Sequence, residues 1–407
     1  MNVLFIDWDC FGKVDAVFTL DQMGYEITMF SHKDFQARLS PEYDKAFDET
    51  VKQKPYQFCF SFNFYPLVAE GCKRNNIPYL SLVYDNPYVM LYSYTIIYPT
   101  NYVFFFDRQE YIKFRNIGIS TVYYMPLPVN ATIIDFLAKK EYDHERYSCD
   151  VSFVGSLYNE DHNFYDRLVG INDYTRGYLE AIMEAQLKVY GYNFLEEVLT
   201  GEILQELQRV SPYTSDRFGV ETLEYLYANY FLCRKITCME RIRLLTAIGE
   251  HFPDKLKLFT INRNAAIPHV QNMGPADYYS EMPYIFANSK INLNITLRSI
   301  QSGIPLRAMD IMGTGGFLLT NYQADFLEHF VPDEDFVYFT DPDDMLHKID
   351  YYLSHDKERK EIAENGYRKV LKNHSFEKCF HDMMQVAHLC PPDNPKHNSN
   401  ILETIKL

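Results

Sequence analysis

Short apolar runs alternate with amphipathic stretches along most of the chain. Val3–Ile6 is apolar, Asp7–Gly12 is a polar loop, and Val14–Met23 is amphipathic until Gly24. A run that short reads as a buried strand, and a glycine is a common helix stop. Tyr25–Phe30, Phe58–Phe62, Tyr79–Val83, Val103–Phe106 and Thr121–Tyr124 repeat the strand pattern, with helical stretches over Pro66–Asn75 and Arg108–Asn116. Strands and helices joined by short connections predict a parallel sheet covered on both faces. Pro126, Pro128 and the charged run Lys139–Arg146 then read as a linker.

A second alternation starts at Asp150–Val154 and turns at Gly155 and Ser156. From about 173 to 252 the sequence is helical without a repeat. Leu256–Phe259 resumes the strands, and Tyr278–Asn288 reads as a helix. Past Val337–Phe339, residues 345–354 and 357–371 carry apolar positions at spacings of three and four, the helical period. Ser375–Leu389 is the last predicted helix, with Ser375 suited to cap it, and the Pro- and Asn-rich tail from Pro391 reads as fraying.

Between these lies the most informative stretch, 291–320. Ile291, Leu293 and Ile295 alternate as a strand, and Thr296–Gly303 is a polar loop. A helix follows with Pro305 suited to its first turn; Gly313, Gly315 and Gly316 stop it, and Phe317–Thr320 is the next strand. In open α/β sheets ligands gather at such loops, beyond the carboxyl ends of the strands. Arg307 and Asp310 are three apart, so they share a helix face. That pair suits a ligand with phosphate at one end and hydroxyls at the other; the same spacing also describes a solvated surface pair.

Length and charge narrow the choices. With 407 residues the chain exceeds the ~250–300 at which single cores stop growing, so two domains are expected. These are residues 1–148 and 149–374, the second with a helical insertion over about 173–252, and with the helix at 375–390 packing back onto the first. A net charge of −16 opposes nucleic acid or an anionic membrane as the main partner. The opening MNVLFID is too short for a signal-peptide core, and no apolar run reaches the ~18 residues of a membrane span, so a cytoplasmic protein is expected. Eight cysteines without CxxC pairs fit reduced thiols, and twelve histidines without HxH or HExxH support no metal site. The 34 tyrosines and 30 phenylalanines suit either sugar stacking or an ordinary core.

Several blocks carry a resemblance to a known family: DVSFVGS at 150–156, SKINLNITLR at 289–298, GIPLRAMDIMGTGGFLLT at 303–320, and the run from DPDD at 341 to EKCF at 380. With SLVYDNPY at 81–88, they span nearly the whole chain apart from the helical stretch and tail. The chain resembles a GT-B glycosyltransferase with a glycosyltransferase group 1-like C-terminal domain, and more narrowly the CgeB-type spore-maturation family. The resemblance implies two Rossmann-like α/β domains facing a cleft and transfer of a sugar from a nucleotide-sugar donor without a bound metal or further cofactor. The implied acceptor is a protein, such as flagellin or a spore-surface protein, or a glycan, in bacterial surface glycosylation.

Residue roles follow from the same resemblance. Related transferases carry a spaced pair of glutamates here, the second of which holds the donor ribose. Asp310 falls at that second position, whereas Ser302 falls at the first and departs from the pattern. Gly303 matches the glycine beyond it, and Arg307 matches a subfamily arginine suited to the leaving diphosphate. Arg298, at the mouth of the loop, is a second donor-side cation. Gly155 and Ser156 line the phosphate path, and Gly274 meets the base through its backbone. Tyr278 lies alongside Gly274 or in the core.

The first domain must supply the acceptor side and any general base. Asp9 and Asp85, at predicted carboxyl ends of strands, are the candidate catalytic carboxylates, although each taken alone reads first as a turn aspartate. His32 is a weaker third option. Three other readings compete. Asp7-x-Asp9 after an apolar strand suggests a haloacid-dehalogenase-type phosphatase, although Phe11 departs from that pattern. The same motif would suit a metal-dependent GT-A transferase only if it followed the nucleotide half. A GT-B shell that binds sugar nucleotide without transferring it is the non-enzymatic alternative.

Overall fold

The computed structural model describes residues 1–130, 134, 137, 143–160, 163–216 and 218–392. Most of the expected linker run and all of the tail from Asp393 lie outside these residues. The chain divides into two compact units, one comprising Met1–Val129, Thr214–Glu221 and the chain from His374, the other Asn130–Tyr213 and Thr222–Asn373. The described residues 130, 134, 137 and 143–148 thus go with the second unit rather than the first, and a piece of the expected insertion goes with the first. No helix among the described residues is long and apolar enough to cross a membrane.

Unit 1 is built on β1 (Asn2–Ile6), β2 (Glu26–Phe30), β3 (Phe58–Phe62), β4 (Tyr79–Val83), β5 (Asn101–Phe105) and β6 (Val122–Tyr124). They form one parallel sheet in the order β2-β1-β3-β4-β5-β6. β3 and β4 are buried throughout, as expected of central strands covered on both faces. A helix that the apolar pattern did not reveal, Pro41–Val51, begins with Ser40 accepting a hydrogen bond from Tyr43 N at 3.1 Å. Its Tyr43 and Phe47 rings each sit 5.5 Å from Phe30.

Two distant segments complete this unit. Helix Phe376–Val386 sets Phe380 5.1 Å from Phe60 and Phe376 6.3 Å from Phe62, while Tyr25 Oη donates to Met384 Sδ at 2.8 Å. Residues 214–216 and 218–221, expected to be helical, are instead non-helical, and Gly219 bridges Ser93. Glu221 and Asp216 pair with the buried Arg38 guanidinium at 3.0 and 3.2 Å, and Arg38 also donates to Val89 O at 3.0 Å.

Unit 2 carries β7 (Cys149–Val154), β8 (Leu256–Phe259), β9 (Val270–Gly274), β10 (Ser289–Asn294), β11 (Leu318–Asn321) and β12 (Val337–Phe339). These also pair in parallel, in the order β12-β11-β10-β7-β8-β9. β9 escaped the pattern reading because only its last residue is fully buried. The expected helical insertion is broken into Asp173–Gln186, Gly201–Val210 and Cys233–His251, the last preceded by a π-helical stretch Tyr227–Leu232. It has its own small core, including Leu179, Leu207 and Leu232. The helix expected over Tyr278–Asn288 begins only at Met282, and 278–280 is a turn.

Candidate functional site

The strand, loop, helix, glycine and strand order expected over 291–320 is present as β10, a loop, helix Leu306–Gly313 and β11. Pro305 stands just before the helix in an extended conformation rather than inside its first turn. Gly315 follows the helix at φ +74°, a conformation that glycine adopts without a Cβ clash.

Asp310 lies on the inner side of this helix and is only 4% exposed. Tyr278, in the turn after β9, donates its hydroxyl to Asp310 Oδ1 at 3.0 Å. The other oxygen, Oδ2, is buried with no hydrogen-bond partner among the described residues. Burial pushes this carboxyl up to about 7, against the opposing pull of Arg307 and Tyr278. A solvated surface pair is therefore excluded, because Asp310 is buried and its one hydrogen bond among the described residues goes to Tyr278 rather than Arg307.

Arg307 is half-buried and points toward the carboxyl end of β7, where its Nη1 donates to Val154 O while Nε is buried without a partner among the described residues. Burial lowers its pKa. A second guanidinium reaches the same strand end. Arg241, from helix Cys233–His251, donates from Nη1 to Ser156 O at 2.5 Å and from Nε and Nη2 to Ile295 O at 3.1 and 2.5 Å. It lies 4.9 Å from the Tyr158 ring and 5.3 Å from Phe153, and no carboxylate pairs with it among the described residues. Burial lowers its pKa, and the like charge on Arg307 lowers it further. Two neighbouring cations whose hydrogen bonds among the described residues all go to carbonyls make this strand end a place for an anion.

Arg241 was not among the expected site residues. Its sequence signal is faint: a charged residue at a position of the CRKITCMERIRLL helix that falls among Thr237, Leu244 and Leu245 on the buried face.

Arg298 is placed differently from its expected role. Its Nε and Nη2 meet the Glu240 carboxylate at 2.7 Å each, Nη1 and Nη2 donate to Val189 O and Leu187 O, and Tyr190 stacks 3.9 Å away. The guanidinium thus ties the loop after β10 to the helical insertion. Ser302 and Gly303 are buried in that loop, and Ser302 O accepts from Asp325 N at 3.0 Å. Gly155 leaves ordinary room for a side chain, whereas Ser156 Oγ is turned into its own loop, donating to Glu160 at 2.6 Å and accepting from Tyr158 N. Gly274 closes β9 at φ +80°, where a Cβ would come within 2.7 Å of Arg263 Nη1.

In unit 1, the loops after β1, β3 and β4 gather Asp9 and Asp85. Both are exposed, and Asp85 Oδ2 accepts from Asn63 Nδ2 at 2.7 Å. Asn63 also accepts from Tyr84 N and Asp85 N, so one side chain fixes the turn. Cys10 between them is pushed up to about 12, first by burial and then by Asp7, Asp9 and Asp85, against Lys13. Trp8 stacks on Tyr84 with rings 12° apart. Asp7 pairs with Lys13 at 3.0 Å, and His32 Nδ1 accepts from Asp34 N.

Residues 232–385 match a family model described as glycosyl transferase-like. A search of curated protein sequences returns no match. Among solved structures, the chain is similar to a sucrose-phosphate synthase from Thermosynechococcus elongatus, at 12% identity and TM-score 0.53 over 95% of this chain and 98% of that one. It is also similar to Anabaena Alr3699/HepE solved with UDP-glucose, at 9% identity and TM-score 0.52 over 95% and 99%. An alpha,alpha-trehalose 6-phosphate synthase from Burkholderia multivorans aligns at 12% identity and TM-score 0.51 over 95% and 99%. The chain therefore has the GT-B fold, two parallel six-stranded α/β units, and carries a glycosyl transferase-like domain.

Proposed function

We propose that this protein is a glycosyltransferase that takes a sugar from a nucleotide-sugar donor held in unit 2. The observation that carries this is the buried Asp310 with its unpartnered Oδ2, next to the guanidiniums of Arg307 and Arg241, whose hydrogen bonds among the described residues all go to backbone carbonyls. Ribose hydroxyls donating to Asp310 supply the missing hydrogen bonds. The diphosphate neutralises the two arginines, which in turn stabilise the charge it gains as the bond to the anomeric carbon breaks. The backbone beside Gly274 meets the base. No step in this scheme calls on a metal. Of the expected donor-side cations, Arg307 keeps the role, and Arg241 takes the place foreseen for Arg298.

The acceptor is a protein or glycan hydroxyl, in line with the CgeB-type resemblance, and the reaction is cytoplasmic. As the new bond forms, the acceptor proton passes to a carboxylate of unit 1. Asp85, oriented by Asn63, is the preferred base and Asp9 the alternate. One observation favours a second reading, a sugar-nucleotide-binding protein without transfer: Ser302 stands where related enzymes carry a carboxylate.

A panel of UDP-, GDP- and dTDP-linked sugars, beginning with UDP-glucose, tests the donor assignment by thermal shift. At least one is expected to raise the melting temperature, and Arg307→Ala should weaken that donor by about 1–3 kcal/mol. A flat panel overturns the proposal. With a responsive donor, Asp85→Asn should cut transfer by about 10²–10⁴-fold while the thermal shift stays the same. Unchanged transfer moves the base to Asp9, and no transfer by the parent protein to any acceptor favours the second reading.

A further inference from the structure

At the opposite end of helix Leu306–Gly313 from the proposed donor site lies a cavity of about 200 Å³, at the amino ends of β10 and β11. Eight residues of helix separate it from Pro305, about 12 Å at 1.5 Å per residue. Its walls include Lys290, Arg359 and Lys360 around the backbone of Gly315, Gly316 and Phe317, and no carboxylate lines it. For a chain of net charge −16, three cations around one hollow are a local reversal of sign.

The cations are not used up by their neighbours. Arg359 is only 5% exposed; its Nη1 meets Tyr352 O at 2.6 Å and Asp356 at 2.7 Å, while Nε and Nη2 have no hydrogen-bond partner among the described residues. Lys360 makes no hydrogen bond or ion pair among the described residues, although its charge and that of Lys290 add to the hold of Arg359 in lowering the pKa of Asp356. Lys290 shares Asp150 with Lys255, each at 2.7 Å, so one carboxylate serves two ammoniums. The Nε and Nη2 edge is open to solvent beside the cavity, and its planar geometry fits two oxygens of an oxyanion. Gly316 keeps the wall thin: a Cβ there would come within 2.8 Å of Phe286 O.

We propose that this cavity binds a small phosphate-bearing molecule, with Arg359 gripping the phosphate and Lys290 and Lys360 adding charge. The site is separate from the donor groove and stands whether or not the donor reading holds. The cavity is several times the ~30 Å³ of a water molecule and accommodates a phosphate with a compact substituent.

The test is calorimetric titration of the full chain with inorganic phosphate and with glycerol phosphate at constant ionic strength, repeated with chloride. Both phosphates are expected to bind saturably in the parent and in Arg307→Ala. Lys360→Glu and Lys290→Gln should each weaken binding at least tenfold, and Ala287→Phe, which fills the exposed wall without changing charge, should abolish glycerol phosphate binding. Lys290, Lys360 and Ala287 are exposed, so circular dichroism is expected to show parent-like folding for all three. No saturable phosphate binding, binding unaltered in both lysine variants, or equal competition by chloride overturns the site. Binding lost only in Arg307→Ala assigns the phosphate to the donor groove instead.

Discussion

Replacing Asp310 by Asn is expected to stabilise the free protein at pH 8 while removing its response to the nucleotide sugar. The folded carboxyl titrates at about 7 against an ordinary 3.8, with burial the main cause. A raised carboxylate pKa means that the native state holds its proton more tightly than the unfolded chain. Stability is therefore highest below the unfolded value, falls between about pH 4 and 7, and stays low above 7. With each tenfold change in proton affinity worth ~1.4 kcal/mol, the full penalty is about 4 kcal/mol. Asn cannot ionise, so its advantage should be large at pH 8 and small at pH 5. A donor whose ribose hydroxyls satisfy the carboxylate needs the ionised form, so parent affinity should drop about tenfold for each step of one in pH below 7. Thermal melts of parent and Asp310→Asn at pH 5 and 8, with and without donor, check both statements. An Asn variant less stable by the same amount at both pH values would show that the carboxylate carries no ionisation penalty.

The other large effect belongs to Glu240. Its carboxylate is the only acidic partner of Arg298 among the described residues, and both side chains are almost fully buried. Glu240→Gln leaves a guanidinium in a low-dielectric site with carbonyls alone, at a cost of about 3–5 kcal/mol. Because the pair joins the loop after β10 to the helical insertion, urea should release the insertion first. Removing both charges, as Glu240→Leu with Arg298→Met, should restore most of the loss, since well-packed apolar pairs often replace a buried ion pair without penalty. If the double variant unfolds as early as Glu240→Gln, a stranded charge is not the cause.

Asp310, Arg307 and the buried Arg298–Glu240 pair show what can be read from sequence. Arg307 and Asp310 were legible because they sit three apart on a helix that follows a strand and a polar loop, and topology sends such a helix to the ligand edge. Arg298 was legible as a cation at that loop but not as a structural one, because its partner Glu240 is distant in sequence and its other acceptors are the carbonyls of Leu187 and Val189. Arg241 was missed for the converse reason: charged residues recur through that helix, and only the fold shows which one faces β7. Both sheets were largely legible because their strands are apolar runs. β9, with a single fully buried residue, and the Arg38 clasp on 214–221 carry no local periodicity, so pattern alone could not place them. The GT-B fold was legible from the two runs of alternating strands and helices, whereas Ser302 offers no carboxylate to take the place of the missing glutamate.

The way unit 1 is assembled has a consequence for its synthesis. All six strands of its sheet have been synthesised by Val129, yet helix Phe376–Val386 comes only after residues 130–373 have been made. At ~5–20 residues per second that delay is about 12–50 s. During it, the face of Phe60 and Phe62 lacks its cover and the Arg38 guanidinium first awaits Glu221. The nascent chain thus presents an apolar sheet face to solvent for far longer than a sheet needs to form.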